Sequence, residues 1–393
     1  MKCSYFLQTQ CNSCNLLDKN YEDTLLLKED LLKNLFHGVN LNLKPTVGLE
    51  KRSGSRSKAK FSVFTQNKEI TFGFTGSDGT HKELEACVLH AEGINELLPA
   101  VKKILNYYQI IPYDLKTKKG ELKFLLISKN MESSGNEFLL RFVLRSKESL
   151  DRLKKAATDL MALPFNIKVI TANIQPVHQA VMEGDDEIIL TEEKMIIHQF
   201  DEFQLALGAR SFFQVTPEIS KRLYGAVADQ VEVDQPKSLI DLYCGVGAFS
   251  FYASRWCEDV TGVEISKEAI DCAKTSAKLN MSNIQFFAED AEAYLTSLSG
   301  QSKKFDAVIV NPPRRGLNSS IIASMLEMSP GVIYYSSCNA ETLARDFSEL
   351  REHYEIKSMQ IFDMFPFTSH FETLMCLSYR GESSIILPES VDT

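Results

Sequence analysis

Short apolar runs alternate with amphipathic segments from about residue 215 to the end of the chain. Runs of this length predict buried strands, and the segments between them predict helices. Strict alternation of strand and helix is typical of a mostly parallel sheet that is covered on both faces. The last two predicted strands are joined by a short loop, so we expect them to be antiparallel. The predicted strands are residues 238–243, 260–264, 284–288, 307–310, 332–336, 355–362 and 374–379.

The first half of the chain has a mixed pattern that predicts α/β structure without repeats. Helical spacing is found at residues 21–36, 92–108 and 150–161, and strand patterns at 61–74 (as a hairpin), 122–127, 139–144 and 167–174. From these patterns we expect an N-terminal region, a central α/β domain, a catalytic domain and a tail. Their expected bounds are residues 1–90, 91–205, 206–383 and 384–393.

The charge is unevenly distributed along the chain. The formal net charge of −9 argues against a polyanionic partner, but residues 1–160 carry 25 Lys and Arg against 19 Asp and Glu, a net charge of +6. A dense basic run forms either a solvated loop or a loop that contacts phosphates, and both interpretations stay open here. A nucleic acid would be attracted to this part of the molecule. The densest run comprises Lys51, Arg52, Arg56, Lys58 and Lys60.

The chain begins without the apolar stretch of a secretory signal, and no apolar run is long enough to span a membrane. We therefore expect a cytoplasmic protein, in which nine cysteines would not form structural disulfides. Cys11 and Cys14 form a C-x2-C pair that can converge on one metal centre, with Cys3 and Cys87 as the remaining thiolates. Zinc and an iron–sulfur cluster both accept four thiolates, and incidental thiols are the third possibility.

Three strand ends in the second half carry residues suited to a nucleoside. Gly245 and Gly247 follow the first strand, where they let a ligand approach the backbone beside a helix N-terminus. Glu264 ends the second strand, 19 positions after Gly245, where a carboxylate can accept hydrogen bonds from ribose hydroxyls. Asp290 follows the third strand, where an acid can meet an adenine amino group. Each acid alone fits a solvated strand end, but together they favour a nucleoside cofactor.

The next predicted strand runs into Asn-Pro-Pro-Arg-Arg-Gly at residues 311–316. The two prolines fix an extended backbone without N–H donors, which holds Asn311 toward the cleft. Asn-Pro-Pro after strands of this kind marks methyltransferases that use S-adenosylmethionine (SAM). Enzymes that methylate an exocyclic amine have an aromatic residue where Arg314 stands, so the sequence argues against N-methylation.

Cys338 lies where the strand predicted at residues 332–336 gives way to a helix that begins near Ala340. Free cysteines are usually buried packing residues, but a thiol at the carboxyl end of a strand in an open α/β sheet is placed to act on a ligand. Addition of a thiolate to carbon 6 of uracil makes carbon 5 able to accept a methyl group. Because the thiol is only partly ionised at neutral pH, it needs a cationic or dipolar neighbour, which the helix N-terminus would supply.

A base must then remove the proton from carbon 5 so that the thiol can leave. Glu372 opens the last predicted strand and can return to the same cleft. His370 is the competing base. We favour Glu372 because a carboxylate in an apolar setting can have its pKa raised toward the working range.

Nine stretches form a combined signature, six in the second half of the chain and three in the first. They are residues 210–214, 241–247, 311–316, 335–340, 362–366 and 370–372, with 120–123, 140–145 and 173–178. On these residues the chain resembles the RNA uracil-C5 methyltransferase family over nearly its whole length. The resemblance implies a C-terminal Rossmann-like SAM methyltransferase domain with a seven-stranded sheet, next to a central α/β domain that faces RNA.

The resemblance also implies residue roles. It makes Cys338 the nucleophile and Glu372 the base, and it favours a [4Fe-4S] cluster over zinc for the four N-terminal cysteines. The family usually has Asp where Asn311 stands, and an amide cannot take a proton, which strengthens the assignment of Glu372. Thr216 likewise replaces a common Asn. The residues assigned to SAM are Gln214, Tyr243, Glu264 and Asn311.

Within the family, the resemblance implies methylation of one uridine of 23S ribosomal RNA by a monomer, before the ribosome is fully assembled. Cys3 stands almost at the start, so we do not expect the small β-barrel that precedes the cluster in relatives acting elsewhere on this RNA. One alternative is the same reaction on another 23S uridine or on tRNA. The other is a non-catalytic RNA-binding protein with a redox-sensing cluster.

Overall fold

The computed structural model describes residues 1–76, 79–131, 136–177, 183–298 and 304–381, and the expected tail at residues 384–393 lies outside them. Over these ranges the chain forms two seven-stranded sheets and one two-stranded sheet. None of the helices in the described ranges is both long and apolar enough to cross a membrane.

The first sheet follows two N-terminal helices, α1 (Ser4–Leu7) and α2 (Tyr21–Leu35). Its strands have the order β3-β2-β1-β4-β5-β6-β7. Apolar residues of two further helices pack on one face of this sheet in a single core. The strands are β1 (Lys58–Gln66), β2 (Glu69–Thr75), β3 (His81–Glu83), β4 (Leu122–Lys129), β5 (Phe138–Leu144), β6 (Ile167–Ile174) and β7 (Asp186–Ile189), and the helices are α3 (Ile94–Tyr107) and α4 (Leu150–Met161).

The pattern of α3 explains why it forms and how it packs. Ile94, Leu97, Val101 and Leu105 recur at the spacing of one helix face, and all four are fully buried. The helix starts after Gly93, whose φ of 89° favours glycine, and the N–H of Gly93 donates to the Glu96 carboxylate at 2.7 Å.

Strand pairing in the first sheet crosses the boundary that we placed at residue 90. β1 pairs antiparallel with β2, as the hairpin pattern predicts, and also with β4, which lies in the expected central domain. The segment before residue 90 therefore contains three strands of the first sheet, β1 to β3, as well as Cys3, Cys11, Cys14 and Cys87. Sequence reasoning missed this because the pairing of β1 with β4 joins residues more than fifty positions apart.

The second sheet contains all seven strands predicted for the second half. Its order is β12-β11-β10-β13-β14-β16-β15, and only β16 runs antiparallel to its neighbours, as expected for the final pair. A two-stranded sheet, β8 (Met195–Phe200) with β9 (Phe203–Gly208), precedes it. The strands are β10 (Ser238–Leu242), β11 (Asp259–Glu264), β12 (Gln285–Ala288), β13 (Ala307–Val310), β14 (Val332–Ser337), β15 (Tyr354–Phe362) and β16 (Glu372–Tyr379).

Helices cover both faces of the second sheet. Neighbouring residues of β10 point to opposite sides, since Leu239 belongs to one core and Ile240 to the other. The strand order reverses between β10 and β13, which is where an open α/β sheet binds its ligand. The helices are α5 (Pro217–Asp234), α6 (Ala248–Ala253), α7 (Lys267–Leu279), α8 (Ala291–Leu298), α9 (Ser319–Met328) and α10 (Ala340–Leu350).

The N-terminal segment lies along β15, the edge strand of the second sheet. The Lys44 N–H donates to the carbonyl of Met359, and the Val47 N–H donates to that of Ile361, both at 2.8 Å. The N–H of Asp363, just beyond β15, donates back to Val47. These bonds pair backbone groups of an edge strand that would otherwise lack partners. They also tie the start of the chain to the second sheet.

Candidate active site

Three strands of the second sheet bring the predicted catalytic residues to one edge. β13 and β14 are parallel, with Val310 opposite Tyr335, so the turn that starts at Asn311 lies beside the end of β14. β16 is antiparallel to β14, with Thr373 opposite Ser337. Glu372 at the start of β16 therefore reaches the point where β14 ends and Cys338 begins the turn into α10.

Cys338 is half-buried between a cation and a carboxylate. Burial is the main cause that raises the pKa of its thiol above the ordinary value, and the charge of Glu372 raises it further. Arg314 acts in the opposite direction, because its positive charge near the sulfur favours the thiolate and so lowers the pKa of Cys338. The structure thus places a guanidinium beside the predicted nucleophile.

Glu372 is almost completely buried, with 1% of its surface exposed. Burial raises the pKa of its carboxyl to about 7, while a hydrogen bond from the Ser336 hydroxyl to Oε1, 2.6 Å long, acts to lower it. A carboxyl group with a pKa near 7 can both take up and release a proton at neutral pH. Its position and its pKa suit a general base that acts beside Cys338.

His370, the competing base, lies on the same loop but faces Arg314. Its Nδ1 is 3.3 Å from an Arg314 nitrogen. The pKa of His370 is lowered, first by burial and then by the charges of Arg314 and Lys28. The ring of His370 thus contacts Arg314, and the buried Glu372 is the better placed of the two candidate bases.

Sequence reasoning missed the roles of Arg314 and Ser336. It used Arg314 only as an argument against N-methylation and attributed the activation of Cys338 to the start of α10. That helix does begin at Ala340, but its first turn is capped by Asn339, whose side chain accepts from the Glu341 N–H. Arg314 follows β13, the strand that pairs with β14, and this position after a neighbouring strand is the signal that would have placed it near Cys338.

The loop after β10 has the form of a ligand site. Gly245 has a φ of 56°, and a Cβ added there would meet no atom within 4 Å, so the backbone faces open space. Its N–H donates to one oxygen of Glu264 at 3.3 Å, and the Ser266 N–H donates to the other oxygen at 2.9 Å. The Glu264 carboxylate is thus held at the end of β11, half-buried beside the loop.

The other residues predicted to bind the cofactor lie at neighbouring strand ends. Tyr243 stands in the loop after β10 with a φ of 62°, and burial is the main cause that raises its pKa to about 12. Asp290 is exposed, and its Oδ1 accepts from two N–H groups at the start of α8, so that oxygen caps a helix. Gln214 is buried, and Asn311 is half-buried after β13.

Asp241 supplies a further acceptor at the same place. It is fully buried, and burial raises its pKa to about 7. One oxygen accepts from the Ser250 hydroxyl at 2.6 Å, whereas the other has no hydrogen-bond partner among the residues that the structure describes. An orphaned buried carboxylate oxygen fits a ligand that carries positive charge, as SAM does at its ammonium and sulfonium groups.

The four N-terminal cysteines are brought together by the fold. Burial raises the pKa of Cys14 to about 11, and the charges of Cys87, Cys11 and Cys3 raise it further, so these thiols lie within electrostatic range of Cys14. Arg56 lowers the pKa of Cys14 and of Cys87. Within the described ranges, no group of three or more His, Cys, Asp or Glu side chains has the arrangement of a formed metal site.

The basic run at residues 51–60 is more ordered than a solvated loop. The N–H of Arg56 donates to Leu89 and its carbonyl accepts from Ala91, which packs this segment next to Cys87. The Arg56 Nε is buried without a partner among the described residues. Arg52 stacks over the ring of Tyr21 at 4.4 Å and pairs with Glu22.

The fold and the site define an α/β methyltransferase. A family model described as tRNA (Uracil-5-)-methyltransferase matches residues 20–380. The chain is 40% identical over 380 residues to the 23S rRNA (uracil(747)-C(5))-methyltransferase RlmC of Shewanella amazonensis, covering 96% of this chain and 97% of that protein. It is 37% identical to the protein of the same name from Xenorhabdus nematophila, covering 96% and 99% of the two chains.

A solved structure has the same overall fold. The Pyrococcus abyssi tRNA (uracil-54, C5)-methyltransferase, in complex with S-adenosyl-L-homocysteine, superposes with a TM-score of 0.78 at 26% identity, over 93% of this chain and 84% of that one. The present chain belongs to the tRNA (uracil-5-)-methyltransferase family, whose members named above share nearly its whole length.

Proposed function

We propose that the protein methylates carbon 5 of one uridine in 23S ribosomal RNA, with SAM as the methyl donor and Cys338 as the nucleophile. The observation that carries this proposal is the placement of Cys338 between Arg314 and Glu372, at the edge where the sheet would bind its cofactor. The two RlmC relatives support 23S RNA as the substrate, because they match over nearly their full lengths.

The reaction begins with Arg314, which stabilises the Cys338 thiolate. The sulfur adds to carbon 6 of the uracil, and the electron pair of the 5,6 double bond moves toward the ring carbonyl to form an enolate. Carbon 5 then takes the methyl group. Glu372 removes the proton from carbon 5, the double bond forms again and the bond between sulfur and carbon 6 breaks.

Six residues would hold SAM, which supplies an electrophilic methyl group when bound. Glu264 would accept hydrogen bonds from the ribose hydroxyls, and Gly245 would let the ligand approach the backbone. Only one oxygen of Asp290 stays available for the adenine, because the other caps α8. The six residues are Gln214, Tyr243, Gly245, Glu264, Asp290 and Asn311.

Cys3, Cys11, Cys14 and Cys87 would hold a [4Fe-4S] cluster. The proximity of the four thiols supports this assignment, and so does Arg56, whose charge would balance an anionic cluster. The cluster would tie the start of the chain to the first sheet, whose strands come from both of the expected regions 1–90 and 91–205, ahead of a catalytic domain at residues 206–383. Iron and sulfide measured after anaerobic purification should reach four of each per chain and be lost in Cys87→Ala.

Covalent trapping tests the proposed function. A 23S RNA fragment that contains 5-fluorouridine should form an adduct in the presence of SAM, because fluorine at carbon 5 cannot be removed as a proton is. Cys338→Ala should give no adduct, while Cys257→Ala, at a buried cysteine after α6, should react as the unaltered protein does. An adduct that persists in Cys338→Ala would overturn the mechanism.

The choice of RNA is tested separately. The Pyrococcus relative acts on tRNA, so tRNA is the competing substrate. The rate of methyl transfer to a 23S fragment should be compared with the rate of transfer to tRNA. Both RNAs should contain ordinary uridine and be present at equal concentration. Faster transfer to tRNA would contradict the 23S assignment while leaving the chemistry of Cys338 and Glu372 in place. We expect a cytoplasmic monomer that acts before the ribosome is complete.

A further inference from the structure

A completely buried ion pair joins helix α2 to the loop that leads into Glu372. Lys28 Nζ lies 2.5 Å from Asp363 Oδ1, and the two side chains are 1% and 0% exposed. Tyr21, on the same helix, donates its hydroxyl hydrogen to Asp363 Oδ2 at 2.6 Å and accepts from the Leu49 N–H at 2.8 Å. Both oxygens of Asp363 are therefore held by residues of the N-terminal segment.

Lys28 makes a second contact with the same loop. Its ammonium group donates to the carbonyl of Phe365 at 3.1 Å. That carbonyl also accepts from the Thr368 hydroxyl at 2.8 Å, and the Thr368 hydroxyl oxygen accepts from the His370 N–H at 3.2 Å. A continuous chain of hydrogen bonds thus runs from Lys28 to His370, two residues before Glu372.

The rest of the loop is held from the same side. The Leu16 N–H donates to the carbonyl of Phe367 at 3.0 Å, and the ring of Tyr21 packs on that of Phe367 with the ring centres 5.5 Å apart. Phe367 has a φ of 59°, a conformation that a bulky residue adopts only when its surroundings hold it there. The loop therefore takes much of its shape from residues 16–47, with a further hydrogen bond from the Thr216 hydroxyl to the Met364 carbonyl at 2.9 Å.

Stability alone does not explain this arrangement. Burying an ammonium and a carboxylate removes both from water, and an apolar pair of similar volume commonly stabilises a core at least as well. Burial is the main cause that lowers the pKa of Lys28, and the charge of Asp363 opposes that change. What an apolar pair would not provide is direction, since Lys28 fixes a carboxylate and a carbonyl of one loop at the same time.

We propose that Lys28 is a positioning residue for the elimination step. By holding Asp363 and Phe365 it sets the path of residues 363–371, and so the place at which Glu372 meets carbon 5 of the substrate. This inference rests on the proposed function, in which Glu372 is the base. It assigns Lys28 to the placement of Glu372 and not to that of Cys338, whose position is set by β14 and α10.

The experiment separates addition of the thiolate from removal of the proton. Lys28→Met alone leaves Asp363 as an unpaired buried charge and can prevent folding. The double variant Lys28→Met with Asp363→Asn removes both charges and keeps similar volumes. Lys33→Met is the matched control, since Lys33 lies on the same helix and its side chain is 53% exposed.

Trapping by 5-fluorouridine RNA reports addition, since no proton is removed from that substrate. For the double variant we expect trapping at a rate within about twofold of the unaltered protein, because the addition step does not use Glu372. With uridine RNA, release of product should fall about 10²-fold, the effect expected from a displaced catalytic group. The methylated adduct should then accumulate, and Lys33→Met should behave normally in both assays.

Two results would overturn the role of Lys28. One is elimination by the double variant at the normal rate. The other is an equal fall in addition and elimination, which would indicate a general structural role. Failure of the unaltered protein to form any adduct would instead overturn the proposed function, so the two outcomes are distinguishable.

Discussion

Replacing Glu372 with Gln should make the stability of the protein less sensitive to pH. Burial raises the pKa of Glu372 from an ordinary value of 4.5 to about 7 in the folded protein. Because the folded-state value is the higher one, the folded state binds the proton more tightly, and this contribution to stability is complete below pH 4.5 and is lost as pH rises to 7. Gln does not titrate, so the variant avoids that loss.

The size of the effect follows from the two pKa values. At 1.36 kcal/mol for each pH unit, the wild-type protein has lost about 1 kcal/mol at pH 5 and about 3 kcal/mol at pH 8. The side chain is almost completely buried, so solvent screening does not reduce these figures appreciably. The free energy of unfolding of Glu372→Gln minus that of wild type should therefore be about 2 kcal/mol larger at pH 8 than at pH 5, so the variant gains relative stability as pH rises.

Urea unfolding at pH 5, 6, 7 and 8 measures this difference. The fluorescence of Trp256, the single tryptophan, reports on the second sheet, because it follows α6 directly. Glu352→Gln, at an exposed position, controls for the loss of one carboxylate. If the difference between Glu372→Gln and wild type stayed constant across this pH range, the pKa of Glu372 would not be raised, and the argument for a base poised near neutral pH would fail.

Two further predictions concern the reaction itself. Ser336→Ala removes a hydrogen bond that stabilises the Glu372 carboxylate. Hydrogen bonds to charged groups contribute about 1.5–3 kcal/mol, so the pH of half-maximal elimination should rise by about 1–2 units. An unchanged pH profile would contradict this reasoning. Arg314→Met should raise the pKa of Cys338 and slow trapping by 5-fluorouridine RNA about tenfold or more at pH 7, with recovery at higher pH. Arg315→Met serves as the control, and a loss in Arg314→Met that is independent of pH would indicate a role other than stabilising the thiolate.

The elements of the second sheet were predictable from the sequence because each is defined by local pattern. A buried strand is a short apolar run, and its neighbours along the chain show whether a helix or a short loop follows. The positions of Cys338, Glu264 and Asn311 at strand ends follow from the same pattern, since parallel strands end at a common edge. The antiparallel final pair needed only the shortness of the loop before β16.

The surroundings of these residues were decided by the tertiary structure. Arg314 meets Cys338, and Ser336 meets Glu372, only because β14 lies between β13 and β16 in the sheet. No pattern along the chain specifies that order of neighbours. The start of the chain likewise meets the segment before Cys87 only in the folded chain, where the Tyr5 hydroxyl oxygen accepts from the Glu85 and Ala86 N–H groups.

Helix α2 shows most clearly where the sequence pattern fails to predict which side chains are buried. Its leucines and charges predict a helix, but the helix buries Lys28 at 1% exposure and leaves Leu26 57% exposed. A lysine side chain is normally exposed to water, because the free-energy cost of burying its charge exceeds the free energy gained by burying a leucine side chain. The exception arises from Asp363, a partner 335 positions away that only the folded chain brings within reach. The sequence by itself determined which segments form strands and helices, and the tertiary structure decided which charges face one another, because ionic contacts depend on distance in space.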